Sequence, residues 1–186
     1  MAIDIVLFKG EKAELGYEDV IEAQLTTPKD SRYSNNLVIA EARDIEDARK
    51  AAENRNIDII YGIEGSYRKD KMHFRNSGMN QVICKLCRDN NTAIAVPIAD
   101  IITANIRNEL LGRIMQNIKF CRKYKVRMVA ASFARKDSER RSPSDIESFL
   151  RAIGMTAKEA KESLTNAKAI LVEKRHFIRK GVRIKE

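Results

Sequence analysis

The chain has 186 residues, enough to bury a hydrophobic core without disulfides or a structural metal. Its composition, 44% hydrophobic and 33% charged, indicates a soluble globular protein, and no apolar stretch approaches the ~20 residues of a membrane helix, which excludes a membrane-spanning class. The formal net charge of +9, from 35 Lys and Arg against 26 Asp and Glu, favours a polyanionic partner.

The start of the chain and its cysteine content indicate the compartment. Residues 1–5 lack the basic region and the small-residue cleavage site of a secretory signal. Three cysteines are an odd number without an obvious disulfide framework, which suits a reducing environment. We therefore expect a cytoplasmic protein with one domain over residues 1–186 and no association with a membrane.

Strands alternate with helices along the chain. Hydrophobic patterns predict strands at residues 3–8, 37–42, 57–63, 92–96 and 126–132, with a further short candidate at 19–23. Helices are predicted at residues 44–54, 77–88, 105–124, 142–154, 156–164 and 166–171. The basic C-terminal tail at 172–186 lacks clear periodicity and is either an edge strand or an arm ordered by a nucleic acid. This alternation predicts a parallel sheet, either open and doubly wound or closed as a (β/α) barrel.

Several side chains mark where the predicted helices begin. Asp44 and Ser142 stand where an N-cap residue is expected, and Thr156 opens the sequence of a capping box. Ser77 is predicted to cap the helix at 77–88. The inward stripe of that helix is expected to be Met79, Val82, Ile83 and Leu86.

The positive charge is distributed unevenly. Residues 1–66 are balanced or acidic, whereas basic residues cluster at 68–71, 122–127, 135–141 and 174–185. Such clusters are the electrostatic footprint of a nucleic-acid partner, because each neutralised phosphate releases counterions. The helix at 105–124 also keeps basic side chains off its apolar stripe, but a charged helix face is usually only solvated. That face, with Arg113, Lys119, Arg122 and Lys123, is the weaker candidate.

Three short motifs follow one another in the second half of the pattern. They are RNSGMN at 75–80, NNTAIAV at 90–96, and ASFA at 131–134 followed by RSPSD at 141–145. In that order and spacing they resemble the family of ribonuclease P protein component 3. The resemblance implies a TIM-like barrel with extra C-terminal helices. The barrel must be abbreviated here, because eight β/α units typically use about 250 residues.

The resemblance also implies a function. Family members are non-catalytic subunits of the ribonucleoprotein that removes the 5′ leader from precursor tRNA, so the endoribonuclease activity belongs to the holoenzyme. The partner RNA is expected to hold the Mg²⁺ ions, the protein to bind no cofactor, and ribonuclease P protein component 2 to be the obligate protein partner. The expected RNA-binding residues are Arg68, Lys69, Lys71, Arg75, Arg135, Lys136, Arg140, Arg141, Lys174, Arg175, Arg179 and Lys180.

Two of these arginines stand just ahead of predicted helix N-termini. A phosphate is favoured at such places, because free backbone N–H groups and the helix dipole add to the guanidinium. Arg141 is also placed to pair with a capping carboxylate such as Asp145, and the sequence leaves both interpretations open. Arg75, close to Lys71 in a loop containing Gly and Ser, favours RNA.

No complete catalytic or metal-binding motif is present in the sequence. Cys84 and Cys87 form a lone CxxC, whereas a structural zinc site needs a second pair or two histidines, so core thiols are expected. The two histidines, His73 and His176, do not supply the converging ligands that a metal-dependent phosphoesterase on a related barrel needs. We predict no catalytic residue and no metal site. A barrel phosphoesterase and a generic basic RNA-binding protein remain the alternative functions.

Overall fold

From residue 39 to residue 175 strands and helices alternate as the sequence predicts, whereas the described residues before this range form strands without a helix between them. The computed structural model describes residues 2–10, 14–65, 69–175, 177–179 and 182–183, and it describes side chains as far as Lys174. The strands are β1 (Ile3–Val6), β2 (Asp19–Glu22), β3 (Leu25–Thr26), β4 (Ile39–Glu41), β5 (Ile59–Tyr61), β6 (Ala93–Pro97), β7 (Met128–Ala131), β8 (Phe177–Arg179) and β9 (Val182–Arg183). The helices are α1 (Ile45–Glu53), α2 (Gln81–Asp89), α3 (Ile98–Thr103), α4 (Arg107–Tyr124), α5 (Pro143–Ala152) and α6 (Ala157–Arg175), with 3-10 turns at Ile63–Gly65 and Asp137–Glu139.

The parallel strands lie in two neighbouring sheets. One sheet has the order β3-β4-β5-β6-β7, and β1 pairs in parallel with β2. Two connections link these sheets: only residues 23–24 separate β2 from β3, and a parallel bridge joins Val6 to Ala134 just beyond β7. The N–H of Phe133 also donates to the carbonyl of Ile5 at 2.7 Å. This pairing is compatible with the abbreviated (β/α) barrel that the sequence predicts.

Hydrophobic side chains fill a layer on each face of the strands. In β5, Ile59 and Tyr61 belong to one buried cluster and Ile60 belongs to the other, because successive side chains of a strand point to opposite faces. The first cluster also contains Phe133, whose ring centroid lies 5.2 Å from that of Tyr61. Phe133 has a φ of 48°, so the chain turns sharply where β7 ends.

Three of the predicted helix starts are confirmed. The carboxylate of Asp44 accepts a hydrogen bond from the N–H of Asp47 at 2.8 Å, and the hydroxyl of Ser142 accepts one from the N–H of Asp145 at 3.2 Å. The capping box at Thr156 also forms, because its hydroxyl accepts from the N–H of Glu159 and its own N–H donates to the Glu159 carboxylate.

The predicted start of α2 is wrong. Asn80, and not Ser77, is its N-cap, and the amide oxygen of Asn80 accepts from two backbone N–H groups at 2.9 and 3.0 Å. The helix cannot begin earlier because Gly78 has a φ of 75°, and a side chain at this position would put Cβ 2.1 Å from the carbonyl oxygen of Ile63. Val82 is half exposed, so its predicted place in the inward stripe is also wrong.

The C-terminal third also differs from the prediction. A single helix, α6, replaces the two short helices, because Asn166 does not cap a new helix but donates from its side chain to the carbonyl of Met128 at 2.8 Å. α6 continues to Arg175, so the predicted tail begins as helix, and β8 pairs antiparallel with β9. α3, which follows directly from Pro97, was not predicted. Within the described ranges, no helix is long and apolar enough to cross a membrane.

Candidate nucleic-acid interface

Residues 69–80, called the basic loop below, fold around Asp70. One carboxylate oxygen of Asp70 accepts from the N–H of Asn76 at 2.8 Å and from Nε of Arg113 at 2.9 Å. The other accepts from Nη1 of Arg75 at 3.1 Å. Partial burial acts to raise the pKa of Asp70, but these hydrogen bonds outweigh it and hold the pKa below its usual range. The charged Asp70 therefore ties the loop to α4, which carries Arg113.

A second set of contacts fixes the backbone of the basic loop on α4. The side-chain amide of Gln116 donates to the carbonyl of Arg75 and to the hydroxyl of Ser77, both at 2.9 Å, and its oxygen accepts from the N–H of Arg75. Asn117 donates to the carbonyl of Ser77 at 3.2 Å. The Arg75 side chain lies across Gly112, where an added Cβ would sit 2.2 Å from Nε. The loop is therefore held in one conformation by side chains of α4.

The loop and α4 together present a basic cleft. Lys69 and Lys71 are exposed on the loop, and Lys119 and Lys123 are exposed on α4. In the part of the chain that the structure describes, none of these lysines forms an ion pair. Lys119, Lys123 and Arg75 line one cleft of about 560 Å³ between the loop and the helix. Of the helix face that the sequence indicates as the weaker candidate, Lys119 and Lys123 thus lie beside the predicted loop. Arg113 is instead buried in its ion pair with Asp70, and Arg122 pairs with Glu159, so these two do not belong to the cleft.

Most residues that line this cleft were not among the predicted RNA-binding residues, and four of them matter for the argument below. They are Phe74, Gln116, Lys119 and Lys123. The i, i+4 spacing of Lys119 and Lys123 is a sequence signal that both face one side of the helix. Phe74 and Gln116 carry no such signal, because their role depends on how the loop packs against α4.

The cations that follow β7 are only partly available. Arg135 donates from Nη1 to Asp100 at 2.6 Å and from Nη2 to the hydroxyl of Tyr61 at 3.0 Å, yet its side chain is 55% exposed. Lys136 is exposed, with Glu139 3.8 Å away. Arg141 donates to two backbone carbonyls, those of residues 138 and 140. The alternative pairing of Arg141 with Asp145 is not the one formed, since Asp145 accepts from Ser142 instead.

Two predicted RNA-binding residues need correction, because both are buried in internal ion pairs. The guanidinium of Arg140 donates from Nε to Asp4 at 2.9 Å, and its side chain is 1% exposed. Lys174 donates to Asp58 at 2.5 Å, and its side chain is 8% exposed. Neither cation is on the surface, where a phosphate could reach it. The remaining predicted residues, Arg68, Lys180 and the side chains of Arg175 and Arg179, lie outside the described residues.

The cysteines are core thiols, as predicted. Cys84 and Cys87 are buried on α2, and Cys121 is buried on α4. Burial raises the pKa of Cys84 to about 11 and raises that of Cys121 well above its usual value, so both thiols are protonated at neutral pH. Among the described residues, no group of three or more His, Cys, Asp or Glu is placed to hold a metal ion.

The sequence of the chain matches a known family. The model of the family RNase P subunit p30 matches residues 13–179. The chain belongs to this family. The resemblance to the ribonuclease P protein component 3 family that the three motifs indicate is therefore confirmed, since all three lie inside the matched range.

Each match with an individual relative includes most of this chain but a smaller share of the relative. Ribonuclease P protein component 3 of Methanothermobacter thermautotrophicus is 29% identical over 170 residues, which is 84% of this chain and 66% of the relative. The protein of the same name from Methanosarcina acetivorans is 27% identical over 144 residues, which is 74% of this chain and 57% of the relative. The chain therefore spans less than two thirds of the length of either relative.

Solved structures support the fold. A chain of an archaeal ribonuclease P with mature tRNA, determined by cryo-EM, matches with a TM-score of 0.66 at 20% identity, covering 81% of this chain and 65% of that one. An amidohydrolase crystal structure matches with a TM-score of 0.51 at 12% identity, covering 79% of this chain and 36% of that one. At such identities both likenesses concern the fold alone.

Proposed function

We propose that this chain is a protein subunit of the ribonuclease P ribonucleoprotein, supporting RNA-catalysed removal of the 5′ leader from precursor tRNA by binding and shaping the catalytic RNA. The observation that carries the proposal is membership of the p30 family over residues 13–179. The similar proteins cited above are named component 3 of ribonuclease P. The endonuclease activity belongs to the holoenzyme, and this polypeptide contributes no catalytic residue.

The proposed assembly has three partners for this chain. They are ribonuclease P RNA, ribonuclease P protein component 2, and precursor tRNA, which the chain meets through the complex. The RNA holds the Mg²⁺ ions, and the protein binds no cofactor. The assembly works in the cytoplasm.

The exposed cations of the basic loop and α4 support this role physically. Folded RNA brings phosphates close together, and their repulsion must be screened by Mg²⁺ or by protein cations. Lys69 and Lys71 on the loop and Lys119 and Lys123 on α4 are exposed, so they can approach phosphates at little desolvation cost. A protein with this surface lowers the Mg²⁺ concentration at which the RNA folds.

Reconstitution with cognate ribonuclease P RNA and component 2 tests the proposal, with cleavage of precursor tRNA as the readout. The double variant Lys69→Gln, Lys71→Gln is expected to raise the Mg²⁺ concentration needed for half-maximal cleavage. It should also flatten the plot of log K against log[salt] for RNA binding by about 0.7–0.9 per charge removed. The variant's circular dichroism should match that of the unaltered chain, because both lysines are exposed.

A matched control exists on α1. Arg49 and Lys50 are cations too, but each forms an i, i+4 ion pair, with Glu53 and Glu46 respectively. Arg49→Gln with Lys50→Gln should change the Mg²⁺ requirement much less. An equal effect of both double variants would mean that only total charge matters and would refute the loop as the contact.

Two further outcomes separate the alternative functions. Cleavage of precursor tRNA by the RNA-free protein with a divalent metal would support a barrel phosphoesterase. Equal binding to ribonuclease P RNA and to an unrelated structured RNA, without any stimulation of cleavage, would support a generic basic RNA-binding protein.

A further inference from the structure

The cleft between the basic loop and α4 has an aromatic wall as well as a basic one. Phe74 lines it and is 53% exposed, an unusual position for a phenyl ring. Its neighbour Met72 is 93% exposed. Phe120 also lines the cleft, and its ring stacks on that of Tyr124 with centroids 6.4 Å apart. An exposed phenyl ring that lines a cleft gives a partner an apolar surface to contact.

The ring of Phe74 is held in place before any partner arrives. The N–H of Lys71 donates to the carbonyl of Phe74 at 3.0 Å, which closes a tight turn at the tip of the basic loop. Nζ of Lys71 lies 5.3 Å from the centroid of the Phe74 ring, a cation–π distance. The next residue, Arg75, is fixed by Gln116 and Asp70. Binding to this ring therefore costs little additional ordering of the loop.

The charges around the ring favour a polyanion over a protein partner. Arg75, Lys119 and Lys123 line the same cleft, with Lys69 and Lys71 on the adjacent loop. The acid of the loop, Asp70, is already engaged by two arginines. Lysine is depleted in the cores of protein–protein interfaces, whereas cations alternating with exposed aromatic rings are typical of surfaces that bind single-stranded nucleic acid.

We propose that this cleft binds an unpaired segment of RNA, with one base stacked on Phe74 and the flanking phosphates on Lys71, Lys119 and Lys123. The proposal deepens the proposed function and rests on it. In the interior of a double helix the faces of the bases are covered by neighbouring base pairs, so away from helix ends only an unpaired nucleotide can offer a face to the ring. The cleft volume of about 560 Å³ lies within the range of roughly 300–1,000 Å³ usual for sites that enclose a small ligand.

The test compares two labelled RNAs, a single-stranded octamer and a blunt duplex, binding to the full chain. Phe74→Leu removes the ring but keeps an apolar side chain, and it should weaken binding of the octamer roughly five- to 100-fold. Binding of the duplex should stay within about twofold, because it depends on phosphate contacts alone. Phe74→Trp should restore binding of the octamer, which separates loss of stacking from misfolding.

A charge variant serves as the second arm. The double variant Lys119→Gln, Lys123→Gln should weaken the binding of both RNAs and flatten the salt dependence of that binding. Suppose that this variant acts as expected but Phe74→Leu either leaves octamer binding unchanged or weakens the binding of both RNAs equally. The stacking proposal is then overturned, while the proposed function stands. If neither variant affects RNA, and Phe74→Leu instead abolishes association with component 2, the cleft is a protein interface. If no lysine variant weakens the binding of either RNA, the result counts against the proposed function itself.

Discussion

Two basic regions behave differently in this protein. In the basic loop, Lys69 and Lys71 point into solvent around one enclosed acid, Asp70. In the segment after β7, Arg140 turns inward and pairs with the buried Asp4. At the end of α6, Lys174 pairs in the same way with the buried Asp58. A basic cluster therefore does not by itself indicate a binding surface, because a cation turns inward where the fold places a buried carboxylate beside it.

The largest effect is expected where a cation is internal. Arg140→Met leaves the buried carboxylate of Asp4 without its ionic partner, so the free energy of unfolding should fall by about 3–5 kcal/mol. Urea denaturation measures this change. The exposed Arg55 offers the matched control, since Arg55→Met should change stability by no more than about 0.5 kcal/mol. Similar small losses in both variants would erase the distinction between the two regions.

The second prediction concerns a buried acid that, within the described part of the chain, forms no ion pair. Burial raises the pKa of Glu64 from 4.5 to about 7. The folded protein therefore holds this proton more tightly than the unfolded chain, so its stability decreases as pH rises from about 4.5 to 7. Glu64→Gln removes the titration. Relative to that variant, the free energy of unfolding of the unaltered protein should fall by up to roughly 3 kcal/mol across this pH interval and stay constant above it.

Unfolding curves at several pH values between 5 and 8 check this expectation. Glu14 is exposed and supplies the control, because Glu14→Gln should leave the shape of the pH dependence as it is. Parallel stability profiles for Glu64→Gln and the unaltered protein would show that Glu64 does not titrate differently on folding.

Arg75 combines the properties of the two regions: its side chain is half exposed, as in the basic loop, and it also forms an ion pair, with Asp70. Arg75→Gln should cost about 0.5–1 kcal/mol of stability and also flatten the salt dependence of RNA binding. Arg88 is similarly exposed and paired with Asp89, so Arg88→Gln should cost about as much stability and leave RNA binding unchanged. If the two variants change RNA binding equally, Arg75 is not part of the RNA interface.

The smallest effect on stability is expected at the tip of the basic loop. Lys71→Gln should change the free energy of unfolding by less than about 0.5 kcal/mol, because the side chain is exposed and its contact with Phe74 is a weak cation–π interaction. Thermal and urea denaturation measure the change. A loss approaching that of Arg140→Met would mean that Lys71 is structural.

Much of the fold could be predicted from local sequence. Asp44, Ser142 and Thr156 cap helices where their side chains predict, because an N-cap needs only a short polar side chain and the N–H groups of the next turn. The start of α2 could not be predicted in this way. Gly78 turns the chain there because the carbonyl of Ile63, fifteen residues earlier, occupies the space that a side chain would need.

The sequence by itself determined the alternation of strands and helices, the family, and the loop that carries cations around Asp70. All of these depend on residues near one another in the chain or on motifs of a few letters. Only the tertiary structure decided which cations are available. Asp4 and Arg140 are 136 residues apart, and they meet because β1 lies beside the end of β7. The contact of the basic loop with α4 likewise spans about forty residues, so Phe74 became part of a cleft only when that helix packed beside it.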